Sequence, residues 1–191
     1  TLFRAGTWRA EADAARIAAE GAEPVAASDE AALEAEAARA DAILITAPPG
    51  PAGCPALPPM TSALARARAF PAWIGYLSTT GVYGDRGGRW VTERSRLAAQ
   101  SVEGARRVGA ERDWLQAGAG MGLVVTVFRL PGIYGPGRSP FDRLRAGTAK
   151  RIAAPGQVFS RIHVDDLATG LAASIARPRP GGIYNPCDHE P

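Results

Sequence analysis

Ser78, Thr79 and Thr80 are three consecutive hydroxyl side chains at the end of a short apolar run, 73–77. Tyr83 follows in a turn bounded by Gly81 and Gly84. The run reads as a buried strand. Open α/β sheets bind ligands outside the carboxyl ends of their strands, so hydroxyls placed there can hold or polarise a substrate oxygen. The same hydroxyls can instead satisfy backbone groups in a turn. Glu103 and Arg107 form a second pair, four residues apart in a helical pattern. A glutamate with a raised pKa can act as a base, whereas a solvated Glu–Arg pair on a helix is the structural alternative. His163 lies between Ile162 and Val164 and reads as a packed, hydrogen-bonded residue. Asp165 and Asp166 behind it read as carboxylates at a helix N-terminus. No metal site is expected, since Cys54 and Cys187 lack ligand spacing.

The elements that must position these side chains alternate along the chain. A strand within residues 1–7 precedes an Ala-rich helix over 9–20, which Gly21 stops. A short strand over 23–26 leads to a helix over 30–40 with Ser28 or Asp29 as its cap. A buried strand over 42–46 runs into a Pro/Gly loop, 48–59, and a helix over 61–70. After the strand at Trp73 comes a Gly- and Arg-rich loop, 84–96. A long helix over 98–117, a strand over 123–129, a Gly/Pro loop over 131–140 and a short helix over 141–146 follow. A helix over 164–176 ends the series. Strand–helix alternation of this kind predicts a parallel sheet with right-handed crossovers. Residues 1–191 read as one domain, without repeat or linker, in which 131–191 contribute a small substrate-side portion.

The stretch Tyr76-Leu77-Ser78-Thr79-Thr80-Gly81-Val82-Tyr83-Gly84-Asp85 resembles the strand-end motif of the extended short-chain dehydrogenase/reductase family, which includes nucleotide-sugar epimerases and dehydratases. Three later stretches agree in order and spacing: Phe128-Arg129-Leu130-Pro131-Gly132-Ile133-Tyr134-Gly135-Pro136-Gly137, then Arg161-Ile162-His163-Val164-Asp165-Asp166-Leu167-Ala168, then Gly182-Ile183-Tyr184-Asn185. The resemblance implies a Rossmann-like, doubly wound α/β fold that binds NAD or NADP and a small-molecule substrate. It puts Thr79 at the family's catalytic Ser/Thr position with Ser78 beside it. Glu103 and Arg107 fall where the family carries its catalytic tyrosine and lysine. Pro131, Gly132 and Ile133 match the loop that faces the nicotinamide ring, and Ala47, Pro48 and Pro49 fall on the cofactor side. Arg9 follows the first strand, where an arginine suits the 2′-phosphate of NADP and an acidic residue would suit NAD. Thr80, Tyr83, Tyr134 and Arg161 fall on the substrate side.

The sequence departs from the family in four places. The tyrosines are 76, 83, 134 and 184 and the sole lysine is Lys150, so no Tyr-x-x-x-Lys pair exists. Arginine stays protonated and cannot replace lysine in proton exchange. No glycine-rich pyrophosphate turn is present; the chain starts at what corresponds to the family's second strand, and the first strand with its glycine loop is expected outside this sequence. Family members also continue beyond the Tyr184-Asn185 stretch. Where nucleotide-sugar enzymes place a diphosphate-binding arginine, this chain has Phe159, so a UDP-sugar substrate is not expected. Two readings follow: an epimerase, dehydratase or reductase with an altered catalytic pair, or a non-catalytic NAD(P)-binding regulator.

Bulk properties set outer bounds. The chain has 191 residues, 46% hydrophobic and 21% charged, with a net charge of +3, ordinary for a globular domain. No dense basic run supports nucleic-acid binding, and no apolar run approaches the roughly 20 residues of a membrane span. Two cysteines without a framework fit a reducing cytoplasm. A homodimer through the long helix is the assembly the resemblance implies, although Arg106, Arg107, Glu111 and Arg112 are expected to give that helix a charged outer face.

Overall fold

The computed structural model describes residues 4–8, 11–150, 156 and 158–190. Its strands are β1 (Ala5–Trp8), β2 (Glu23–Ala26), β3 (Ala42–Ile45), β4 (Trp73–Thr79), β5 (Val125–Leu130), β6 (Gly132–Tyr134), β7 (Arg161–His163) and β8 (Gly182–Tyr184). The helices are α1 (Glu11–Ala19), α2 (Glu30–Arg39), α3 (Leu57–Ala67), α4 (Val102–Met121), α5 (Pro140–Arg145) and α6 (Val164–Ala176). Every strand pair is parallel, as the alternation predicts.

The sheet comes in pieces. β1 pairs with β2, and a separate four-stranded sheet runs β3-β4-β5-β8. Among the described residues no ladder joins β1 to β3. The first unit is held to the rest by side chains: Val25, Leu33 and Ala37 share one core with Ile45, Ala63, Leu64, Ile74, Tyr76, Trp114 and Val127. Arg66 of α3 also reaches Glu30 and Glu34 of α2.

Period-two alternation divides the central strands between two cores. Ile74 and Tyr76 of β4 join Val125 and Val127 of β5 under Ala110 and Trp114 of α4. Trp73, Phe128 and Leu130 take the other face with Ile162 and Leu167. Trp73 Nε1 donates to Ser174 Oγ of α6 at 3.0 Å, which fixes the indole beneath that helix.

Several element boundaries differ from expectation for local reasons. Helix α3 starts at Leu57 rather than 61 because Pro58 and Pro59 occupy its first turn, where proline lacks only an N–H that would be unbonded anyway. Helix α4 starts at Val102 rather than 98, since the Ser101 side chain accepts from the Gly104 N–H and caps it there. The 131–140 segment is not all loop, because its first residues form β6 against β7.

Candidate functional site

The C-terminal ends of β3, β4 and β5 lie along one edge. Ile45 stands level with Tyr76, and Thr79 with Leu130. Ala47, Pro48 and Pro49 leave β3 on this edge, Thr79 ends β4 on it, and Pro131, Gly132 and Ile133 turn out of β5 on it. The structure thus brings together the strand-end groups that the sequence singles out.

The hydroxyls do not act as one cluster. Adjacent strand residues point to opposite faces. Ser78 is buried and donates to Glu111 Oε1 of α4 at 2.5 Å. Thr79 is half-buried; its Oγ1 accepts from the Gly81 N–H at 3.1 Å, capping the 3-10 turn Thr80–Tyr83. The Thr79 hydroxyl proton remains available to a ligand, whereas that of Ser78 is committed to Glu111. Thr80 is half-buried at the start of the same turn.

Behind this edge lies a buried polar network. Glu111 is 2% exposed and Arg129 3%. Arg129 Nη2 donates to Glu111 Oε2 at 2.8 Å, and its Nε bonds the same carboxylate at 3.1 and 3.2 Å. Arg129 Nη1 donates to the Tyr83 hydroxyl at 2.9 Å and to the Glu93 carbonyl at 3.2 Å. Tyr83 in turn donates to Asn185 Oδ1 at 2.8 Å. Burial works against the charge on Arg129, but its bonds to Glu111 and Tyr83 prevail and raise its pKa above the ordinary value. The expectation of a charged outer face on α4 is corrected for Glu111, which turns inward because Arg129 awaits it on β5, while Arg112 stays exposed. Sequence inspection missed Glu111 as a partner of the hydroxyl motif. Its signal was a lone arginine inside the apolar strand 125–130, which demands a buried counter-ion.

Arg107 is also turned toward the sheet. Its Nη1 donates to the Leu77 carbonyl at 2.5 Å and to the Tyr76 hydroxyl at 3.2 Å. Burial pushes the Tyr76 phenol up, and the nearby Arg107 charge only partly offsets this. Glu103, one turn earlier, is exposed and has no hydrogen-bond or ion-pair partner among the described residues. The two are not paired with each other; Arg107 is bound to the strand and Glu103 faces solvent.

Of the residues expected on the substrate side, Tyr134 donates to Asp188 Oδ2 at 2.9 Å, and this bond is the main reason its pKa is raised. Its ring meets His163 edge-on at 5.2 Å between centroids. His163 Nδ1 accepts from the Asp165 N–H at 3.3 Å, so the histidine caps α6, in keeping with a packed residue. Arg161 is exposed and its carbonyl accepts from Asp188. Tyr83, buried at 1% exposure, supports the edge from within rather than meeting a ligand. Arg9 lies outside the described residues. No group of three or more histidine, cysteine or acidic side chains suited to a metal occurs among the described residues.

The edge thus carries a half-buried hydroxyl at Thr79 and, after Pro131, a short paired segment over 132–134. The amides of Gly50 and Gly53 bond to each other's carbonyls at 2.9 and 3.1 Å, so they do not offer a phosphate cradle.

No family model matches the chain. It is similar to Protein YeeZ of Escherichia coli K12, with 33% identity over 115 residues, 60% of this chain and 39% of that protein. It is also similar to the solved structure of a functionally unknown conserved protein from Silicibacter pomeroyi, with 46% identity and a TM-score of 0.87 over 98% of this chain and 64% of that one. The chain therefore spans under two thirds of the length of either relative. A dTDP-glucose 4,6-dehydratase from Streptomyces venezuelae, solved as a double mutant with NAD bound, matches at 24% identity and a TM-score of 0.71 over 92% of this chain and 62% of that one. The chain has the Rossmann-like α/β fold of the NAD-dependent epimerases and dehydratases of the extended short-chain dehydrogenase/reductase family.

Proposed function

We propose that this chain forms the nicotinamide-binding core of an epimerase-, dehydratase- or reductase-type protein with an altered catalytic pair. The observation that carries this reading is the half-buried Thr79 at the C-terminal end of β4, level with the turn into Pro131. That is the edge where parallel sheets take dinucleotides. In this reading Pro131, Gly132 and Ile133 face the nicotinamide, and the Ala47–Pro49 segment lies on the adenine-ribose side. The Thr79 hydroxyl donates to a substrate oxygen. Glu103 is the exposed group that could exchange a proton, while Arg107 steadies the end of β4. NADP is favoured over NAD by Arg9. The substrate is a small molecule, and the protein works in the cytoplasm.

A second reading has its own support. Ser78, Tyr83 and Arg107 are all committed to internal hydrogen bonds. A fold that keeps the dinucleotide edge and locks these groups suits a non-catalytic NAD(P)-binding regulator.

The test is a titration of NADPH, and separately NADH, into the purified chain, followed by turnover with a panel of carbonyl substrates. Saturable binding with turnover that disappears in Thr79→Ala is expected for the enzyme. Saturable binding without turnover selects the regulator. Saturation by neither nucleotide removes the cofactor and overturns both.

A further inference from the structure

Between Gly84 and Ala98 the chain leaves the end of the 3-10 turn and returns to nearly the same point. The Ala98 N–H donates to the Val82 carbonyl at 3.0 Å, and the Asp85 N–H donates to Gln100 Oε1 at 3.2 Å. Gly84 sits at φ +69, and a Cβ there would stand 2.1 Å from the Ala98 carbonyl oxygen. The neck of the loop is thus closed, as in the compact Ω-type loops that often carry function.

The body of this loop is strongly basic. It holds Arg86, Arg89, Arg94 and Arg96 against two acids, Asp85 and Glu93. Both acids are engaged elsewhere. Asp85 Oδ1 accepts from the Gly87 N–H at 2.7 Å, and Glu93 Oε1 accepts from the Asn185 N–H at 3.0 Å. A pocket of about 380 Å³ opens on the loop, lined by Arg86, Arg89, Trp90, Val91, Ser95 and Arg96. No carboxylate lines it, and none of its three arginines forms an ion pair among the described residues.

Two features single out a ligand class. Arg86 donates through Nη2 to the Arg96 carbonyl, yet its Nε is buried with no hydrogen-bond partner. A buried guanidinium N–H without an acceptor is unfavourable, and it meets an oxyanion only when Arg86 turns outward, whereas Arg89 and Arg96 are exposed as they stand. The guanidinium fork matches phosphate oxygens in pairs. Trp90 is 80% exposed beside these charges, an unusual position for so large an apolar ring. Its free face can stack on a planar group.

We propose that the 84–98 loop binds a phosphate monoester carrying a planar ring, with the phosphate held by Arg86, Arg89 and Arg96 and the ring laid on Trp90. The site uses residues other than those assigned to the dinucleotide and does not depend on that reading.

The experiment is calorimetric titration of the purified chain with phenyl phosphate, inorganic phosphate and phenol at low ionic strength. Phenyl phosphate should saturate, inorganic phosphate should bind more weakly, and phenol should not bind. Arg89→Glu should weaken both phosphates by roughly 10- to 100-fold, the equivalent of losing a charge-assisted hydrogen bond. Trp90→Ala should weaken phenyl phosphate to the level of inorganic phosphate and leave the latter unchanged. Both residues are exposed, so circular dichroism should show both variants folded. NADPH affinity of Arg89→Glu should equal that of the wild type. The proposal is overturned by absence of saturation with phenyl phosphate, by phosphate binding insensitive to Arg89→Glu, or by equal affinity for the two phosphates. A parallel loss of NADPH binding in Arg89→Glu would assign these arginines to the cofactor instead, and would also overturn it.

Discussion

Arg129 brings a charge into β5, a strand whose six side chains are all buried. The charge is tolerated because Glu111, Tyr83 and a backbone carbonyl surround it. The pair's contribution is conditional. Two charges leaving water lose more solvation than a loose pair regains, but removing one partner strands the other. Glu111→Gln and Arg129→Ala should therefore each lower stability by about 3–5 kcal/mol, the range for breaking a buried pair. The double variant Glu111→Leu with Arg129→Met should lose less than the sum of Glu111→Leu and Arg129→Met made singly, read from urea unfolding midpoints. A double-variant loss equal to that sum would mean that the two residues act independently. Glu111→Leu should also free the Ser78 hydroxyl, linking the interior to the strand end.

At the scale of elements, β4 organises the molecule because its two faces serve different cores. Gly75 is a consequence of this. A Cβ at Gly75 would lie 2.1 Å from the Trp73 ring, which crosses over it. The indole cannot swing aside without breaking its bond to Ser174. Gly75→Ala should cost about 1–3 kcal/mol, the usual penalty of overpacking. Adding Trp73→Phe should recover part of it, as measured by thermal or urea denaturation; no recovery would refute the steric explanation. Such packing also explains what could be read in advance. Strand β2 and helix α6 fall where composition and capping put them, at 23–26 and 164–176. Strand β4 runs two residues past the apolar run, because Ser78 and Thr79 continue the ladder with β5. Strand β6 was hidden, since three residues carry no usable periodicity. The strand-end position of Thr79 was legible from spacing to Tyr83. The inward turn of Glu111 was not, because burial of a charge is decided by a partner 18 residues away.

At the scale of the whole molecule, the strands of the described residues pair in parallel within each sheet, and the carboxyl ends of β3, β4 and β5 make one edge. The 84–98 loop rises from that same edge, directly after β4 and its 3-10 turn. Fold and candidate sites thus share one origin in parallel strand order. The two sheet pieces have a different implication. The unit of β1, α1, β2 and α2 meets the remainder through α2 against α3 and through Val25, Leu33 and Ala37 in the core. Side-chain packing without a shared ladder couples two parts less rigidly than a continuous sheet. The molecule should therefore open in two steps rather than one. Native-state hydrogen exchange should show the β1–β2 amides exchanging at a lower free energy than those of β4 and β5, with Leu33→Ala widening the gap; a single common value for all strands would mean that the seam carries full cooperativity. In this chain the seam is an opening: β1 and β3 each keep an unpaired ladder edge among the described residues, and a strand laid along both would join the two pieces into one sheet.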